Sequence, residues 1–180
     1  MIKKNMNLIL FAGFLVIIAV LSRVVSHAWN FTILGGVALF SGAFFAQRSI
    51  SVVVILLSLL VSDAVIGFHS QMPSVYFSFL VMGALGSLLT INSPRLAVLS
   101  TSVLGSLLFF LITNFFVWYQ GAMYPLTTSG LIDCYVMGIP FYRNQMLGDV
   151  LSTFALFEIA KSMSRFFATN FDPELVKIKS

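Results

Sequence analysis

The charged and hydrogen-bonding side chains of this sequence gather in a few short stretches, most of them beside long apolar runs. Arginine, aspartate and asparagine together could hold a small polar molecule through ion pairs and hydrogen bonds, and histidine with aspartate could transfer protons. Ionisable groups next to apolar runs usually face a protein interior or a watery cavity, which favours one shared site. The candidate substrate-binding residues are Arg23, His27, Asn30, Asp63, His69, Asn114, Trp118, Tyr135, Arg143, Asn144 and Asp149.

Several of these residues also have a structural role open to them. Arg23 could form a buried ion pair with Asp63 or Asp149 instead of contacting a ligand. Asp149 falls near the start of an apolar run, where a carboxylate favours the positive end of a helix. Glu158 and Lys161 are three residues apart, and this spacing predicts an ion pair on one helix.

Catalytic motifs are absent from the sequence. It has no His-x-x-x-His, no Glu-x-x-His and no serine elbow, and the pair of His69 and Asp63 is a weak signal by itself. The single Cys134 excludes an internal disulfide and a cysteine-rich metal site. We therefore expect neither an enzyme nor a resident cofactor or metal, with a membrane enzyme that uses the His–Asp groups as the alternative.

The elements that carry these residues are predicted to be membrane helices. Of the 180 residues, 59% are hydrophobic and 9% are charged, and the mean hydropathy is +1.01. Soluble domains carry about 25% charged residues. The net charge of +4 does not indicate a nucleic-acid partner, because the basic residues stand singly between apolar runs. The lipid bilayer is the expected environment.

The apolar runs predict an all-α, polytopic transmembrane bundle of about six helices in one domain, residues 1–180. The runs lack the period-2 alternation of strands, and most of them approach the length that a membrane crossing requires. The predicted spans are 7–25, 32–47, 50–67, 75–92, 97–118 and 146–167.

Positive charge predicts the orientation of these spans. Only Arg23 and Arg143 fall on one side, and the positive-inside rule then places both termini in the cytoplasm. A cleaved signal peptide ending near Ser26–Ala28 is the alternative for the first span. The basic residues on the other side are Lys3, Lys4, Arg48, Arg95, Lys161, Arg165, Lys177 and Lys179.

The segment 119–145 is predicted to be a folded extracytoplasmic cap between the fifth and sixth spans. Its apolar and aromatic content argues against disorder, with Pro125 and Pro140 as turns and Gly130 and Gly138 as hinges. A partly apolar cap over polar residues is typical of a small-molecule pocket. We expect the pocket between this cap and the outer ends of the first, third, fifth and sixth spans.

Small residues recur at four-residue spacing and predict close helix packing. Ala38, Gly42 and Ala46 form one such stripe, which we expect to build the bundle, with docking of a partner subunit as the minority alternative. A second stripe on the fifth span includes Asn114, which is therefore expected to point into the bundle. Its members are Ser102, Ser106, Phe110, Asn114 and Trp118.

The same stretches resemble a family of small bacterial membrane proteins classed as transport proteins of undefined function. Two departures concern prolines that the family pattern places near His27 and after Thr32 and that are absent here. The resemblance implies the bacterial cytoplasmic (inner) membrane. It is carried by Ser22–His27, Asn30–Thr32, Ala38–Ala43, Ser62–His69, Thr113–Phe115, Val117–Trp118, Tyr124–Pro125, Gly130–Leu131, Cys134–Tyr135, Ile139–Phe141, Asn144, Gly148–Asp149 and Phe157.

The architecture is also similar to the S components of energy-coupling-factor vitamin transporters. Their docking pattern, Ala-x-x-x-Ala on the first helix, is not matched by Ala12 and Ala19. This likeness implies a membrane component that captures a small, possibly vitamin-like substrate. An energising complex would be a separate partner, because the chain has no P-loop. A structural subunit of a membrane complex is the other alternative.

Overall fold

The computed structural model describes residues 2–25, 31–172, 174 and 176–177. Its regular structure is helical throughout these residues, apart from one isolated bridge between Phe45 and Val176. The all-α prediction is thereby confirmed for the described residues. The helices are α1 (Ile2–Val24), α2 (Leu34–Phe44), α3 (Arg48–Ile66), α4 (Met72–Gly86), α5 (Arg95–Tyr119), α6 (Thr128–Ser162) and α7 (Ser164–Asn170).

Three helices are long and apolar enough to cross a membrane: Met6–Val24 within α1, Arg48–Ile66 and Arg95–Tyr119. α2 and α4 are apolar but shorter. The outer surface of α1 is covered with large apolar side chains, and Ile9 and Leu10 are 65% and 64% exposed. Such a surface is suited to lipid rather than to water.

α2 lies at the centre of the molecule. All eleven of its residues are buried, and it contacts α1, α3, α4, α5 and α6. Close approach to α4 depends on the small-residue stripe, since a Cβ on Gly42 would overlap the carbonyl oxygen of Gly83. Ala38 and Gly42 of the predicted stripe thus pack against α4, as expected from the sequence, whereas Ala46 lies beyond the C-terminus of α2.

Helices α1 to α6 alternate in direction, so their ends meet in two groups. At one end, Arg23 of α1 contacts Asp63 of α3, and Gln71 contacts Gln120; we call this the polar end. At the other end, which we call the basic end, Arg95 pairs with Glu158 at 2.8 Å. The predicted Glu158–Lys161 pair is confirmed there at 3.7 Å.

The C-terminal residues close the basic end. Lys177 donates its backbone N–H to the Phe44 carbonyl oxygen at 2.8 Å. Phe167 of α7 packs against Phe11 and Phe44, with ring centroids 5.3 and 5.2 Å apart. Both chain ends are therefore at the same end of the bundle, because Asn7 also donates a hydrogen bond to the Asn170 carbonyl oxygen.

The predicted cap 119–145 is wrong in its internal structure. Only the connection before Thr128 is irregular; from there a single helix, α6, runs for 35 residues to Ser162 and includes Pro140. Proline removes one backbone hydrogen bond, but the helix continues through it because α6 packs along α5. Gly130 and Gly138 are not hinges, because both lie within α6. A Cβ on Gly130 would overlap the Pro125 carbonyl oxygen, and a Cβ on Gly138 would crowd the side chain of Asn114.

Three other predicted spans also end differently. The second stops at Phe44 rather than at 47. The fourth stops at Gly86 rather than at 92, and the chain turns there through backbone hydrogen bonds from Leu88 to Leu85 and from Leu89 to Gly86. The sixth stops at Ser162 rather than at 167, and α7 begins at Ser164 as a separate short helix.

Replacing Gly42 tests the contact between α2 and α4. Gly42→Ala is expected to lower stability by about 1–3 kcal/mol, because the added methyl group meets α4 backbone. Gly13→Ala is the matched control, since a Cβ there meets nothing within 4 Å, and it should be neutral or slightly stabilising. Thermal unfolding in detergent measures both variants, and equal melting temperatures would contradict the packing described.

Candidate functional site

Asp149 of α6 anchors the N-terminus of α2. Its side chain is almost fully buried and lies against the backbone of Gly35, whose N–H faces the carboxyl group. The Ser106 hydroxyl donates to Oδ2 at 2.7 Å, and the Gln145 amide donates at 3.3 Å. Ile33 provides no side-chain cap for α2. A carboxyl group from another helix therefore lies at the unpaired backbone N–H groups of the first turn of α2.

Glycines make this anchor possible. A Cβ on Gly35 would overlap Asp149 Oδ1, and one on Gly36 would overlap the Ser152 hydroxyl. On the α6 side, a Cβ on Gly148 would lie 2.6 Å from the Thr32 carbonyl oxygen. Two backbones therefore meet at a distance that only glycine allows, and any side chain would separate α2 from α6.

Arg23 and Asp63 form the second polar contact of this end. Arg23 Nη2 lies 2.8 Å from Asp63 Oδ1, with side-chain exposures of 14% and 0%, and Nη1 donates to the Ser62 hydroxyl. The predicted ion pair is confirmed with Asp63 as the partner. The Tyr76 hydroxyl faces the same carboxylate without a well-formed hydrogen bond.

A cleft of about 400 Å³ opens beside these two contacts at the polar end. Arg23, His69, Gln71 and Gln145 supply its polar groups, and Phe79 and Phe109 are among its apolar walls. Volumes of about 300–1,000 Å³ are usual for small-molecule pockets. The remaining lining residues are Thr32, Val75, Thr113 and Val117.

A second cavity of about 170 Å³ adjoins this cleft. Phe109, Thr113, Val117 and Gln145 line both spaces. Asn114 lines the second cavity, as its predicted inward orientation requires, and its Nδ2 donates to the Phe110 carbonyl oxygen at 2.9 Å. The second cavity extends the cleft between α5 and α6.

Two predicted site residues fasten α6 to α5 instead of facing the cleft. Tyr135 donates its hydroxyl to the Leu111 carbonyl oxygen at 2.8 Å. Trp118 donates its indole N–H to the Pro125 carbonyl oxygen at 3.0 Å and packs against Phe115. Both side chains help to position α6 along α5.

The structure separates the predicted site residues into groups. Arg23 and His69 line the cleft, Asn114 lines the adjoining cavity, and Asp63 and Asp149 lie behind them. Arg143 is exposed, and Asn144 is half-buried; neither lines the two cavities. His27 and Asn30 lie outside the described residues.

Gln145 is the residue that sequence reasoning missed. It lies four residues before Asp149 on α6, which places both side chains on one face, and it contacts Asp149 while lining both cavities. Ser106 donates to the same carboxyl group. Its position on the predicted inner stripe of α5 was therefore a sequence signal for this contact. Gln71, which also lines the cleft, is likewise absent from the predicted site.

The side chains of the cleft are hydrogen-bonding groups and aromatic rings. The cleft combines one guanidinium group, one imidazole and two amides with aromatic walls. No group of three or more His, Cys, Asp or Glu side chains suited to a metal ion occurs within the described part of the chain. The arrangement can donate hydrogen bonds to a polar or anionic ligand while aromatic rings cover its apolar part.

Comparison with known proteins places the chain in a family. A family model described as "Family of unknown function (DUF6580)" matches residues 3–172, and the chain belongs to this family. No curated protein and no solved structure matches the chain. The expected likeness to energy-coupling-factor S components therefore receives no support from these comparisons.

Removing the Asp149 carboxyl group tests the anchor of α2. Asp149→Ala removes the acceptor of the Gln145 amide and leaves the Ser106 hydroxyl only the Ser102 carbonyl oxygen. It should lower stability, since each unsatisfied buried group costs about 1–3 kcal/mol. Asp133→Ala, which removes an exposed carboxylate from the same helix, is the control and should unfold like the wild type. Equal melting temperatures for the two variants in detergent would refute the anchor.

The Arg23–Asp63 pair predicts a rescue experiment. Arg23→Ala leaves a buried carboxylate alone and should cost about 3–5 kcal/mol, whereas Arg23→Ala combined with Asp63→Asn removes that charge and should recover part of the loss. Arg95→Ala breaks an exposed pair and serves as the weak-effect control. The three variants are compared by thermal unfolding; a double variant that is no more stable than Arg23→Ala alone would contradict a coupled pair.

Proposed function

We propose that the protein is a multi-pass protein of the bacterial cytoplasmic membrane with six spans and both termini in the cytoplasm. The grouping of helix ends supports this, because α1 to α6 alternate in direction. Lys4, Arg48, Arg95 and Lys161 are all at the basic end, as the positive-inside rule requires of a cytoplasmic face. α6 is about 52 Å long, which exceeds the hydrocarbon thickness and lets its N-terminal part stand outside.

Within this topology, we propose that the protein captures a small molecule on the extracytoplasmic side for uptake. The observation that carries the proposal is the cleft at the polar end, with Arg23 and Gln145 held in place by buried carboxyl groups and with aromatic walls. Preorganised polar groups in a partly apolar pocket favour a ligand with both polar and apolar parts. A vitamin-like nutrient fits that description.

The proposed role is that of a substrate-binding component of an uptake system. The sequence contains no P-loop, so hydrolysis of ATP would come from a separate energising complex. The apolar groove between α1 and α3, lined by Ala12, Gly13 and Val53, is open to the lipid side and leaves space for such a partner.

Small molecules retained by the natively purified protein test the binding role. His69→Ala should reduce the retained compound about threefold to tenfold, because His69 lines the cleft and a lost hydrogen bond costs this much in affinity. His69 is exposed, so the fold should not change. Mass spectrometry of extracts from equal amounts of protein gives the measurement.

Arg143→Ala is the matched control, since Arg143 is exposed at the polar end outside the cleft. It should retain the wild-type amount of ligand. Equal loss in both variants would show that the cleft does not hold the compound, and the absence of any enriched compound would contradict capture.

A further inference from the structure

A second polar–apolar arrangement occurs at the basic end, away from the cleft. A groove of about 240 Å³ runs between α3 and α4. Its walls include Val52, Ile55, Leu80 and Ala84, and Val52 and Ala84 are exposed on the outer surface of the bundle. In a membrane, a groove of this kind faces the acyl chains of lipid.

Two cationic side chains stand at the end of this groove. Arg48, the first residue of α3, lines it and is exposed. Lys177 Nζ donates to the carbonyl oxygens of Gly42 and Ser87, at 3.1 and 3.2 Å, and these two residues line the same groove. The C-terminal segment therefore brings a second ammonium group to the groove that α3 and α4 form.

Neither Arg48 nor Lys177 has an ion-pair partner among the described residues. At this end of the bundle, Glu158 forms ion pairs with Arg95 and Lys161 instead. An ammonium group has three N–H donors, and the two carbonyl oxygens leave one of them for another acceptor. Burial, and after it the charge of Arg48, lowers the pKa of Lys177. A bound anion would relieve both effects.

We propose that this groove binds an anionic phospholipid, with the phosphate between Arg48 and Lys177 and one acyl chain along Val52 and Ala84. Charge complementarity selects the headgroup, because basic side chains at a membrane surface attract anionic lipid. The apolar walls select a lipid over a soluble phosphate. The inference rests on the basic end lying at a membrane surface and does not require the cleft to bind a nutrient.

Native mass spectrometry of the protein in detergent, with equal amounts of phosphatidylglycerol and phosphatidylcholine of identical chains, tests the site. The wild type should bind phosphatidylglycerol preferentially. Arg48→Ala should reduce that preference about fivefold, the effect of one basic group at a membrane surface. Arg165→Ala removes another exposed basic residue of the same end, outside the groove, and should leave the preference unchanged.

Ala84→Leu fills the groove from its exposed side and should weaken binding of phosphatidylglycerol while the basic residues remain. Equal losses in Arg48→Ala and Arg165→Ala would overturn the proposal in favour of a diffuse basic surface. Unchanged binding of phosphatidylglycerol by Ala84→Leu would show that the groove does not hold an acyl chain. If inorganic phosphate raised the melting temperature as much as phosphatidylglycerol does, the ligand would be a soluble anion and the lipid assignment would be wrong.

Discussion

The fold depends on how the N-terminus of a fully buried helix is satisfied. α2 is surrounded by five helices, and its own N-cap residue, Ile33, provides no side-chain acceptor for its first N–H groups. In a lipid environment, each unsatisfied group of this kind is costly. Asp149 provides the acceptor from α6, and Gly35 allows the carboxyl group to approach the backbone. The depth of α2 within the bundle is set by this contact.

The cleft follows from the same contact. α2 begins at Leu34, and Thr32 and Gln145 form part of the lining of the cleft near its N-terminus. Gln145 is held through Asp149, and Arg23 is held through Asp63. Two buried carboxyl groups therefore orient two hydrogen-bond donors of the cleft, and such preorganisation would reduce the entropy lost in the proposed binding.

The helical class and much of the polar contact pattern could be predicted from sequence. Apolar runs indicated the helices, the i+4 stripe on α5 placed Ser106 and Asn114 on the inner face, and the pairing of Arg23 with a carboxylate was expected. The continuity of α6 through Pro140 could not be predicted, because packing along α5 outweighs a local helix breaker. The contact of Gly35 with Asp149 joins residues more than a hundred positions apart, and no local pattern records it.

The central claim is that the cleft opens on the extracytoplasmic face while both termini lie in the cytoplasm. Labelling with a membrane-impermeant maleimide in intact cells tests it most directly, in a Cys134→Ser background that carries either His69→Cys or Ala168→Cys. Both positions are exposed, at the polar and the basic end respectively. The account predicts labelling of His69→Cys in intact cells and of Ala168→Cys only after lysis; the reverse pattern would contradict it.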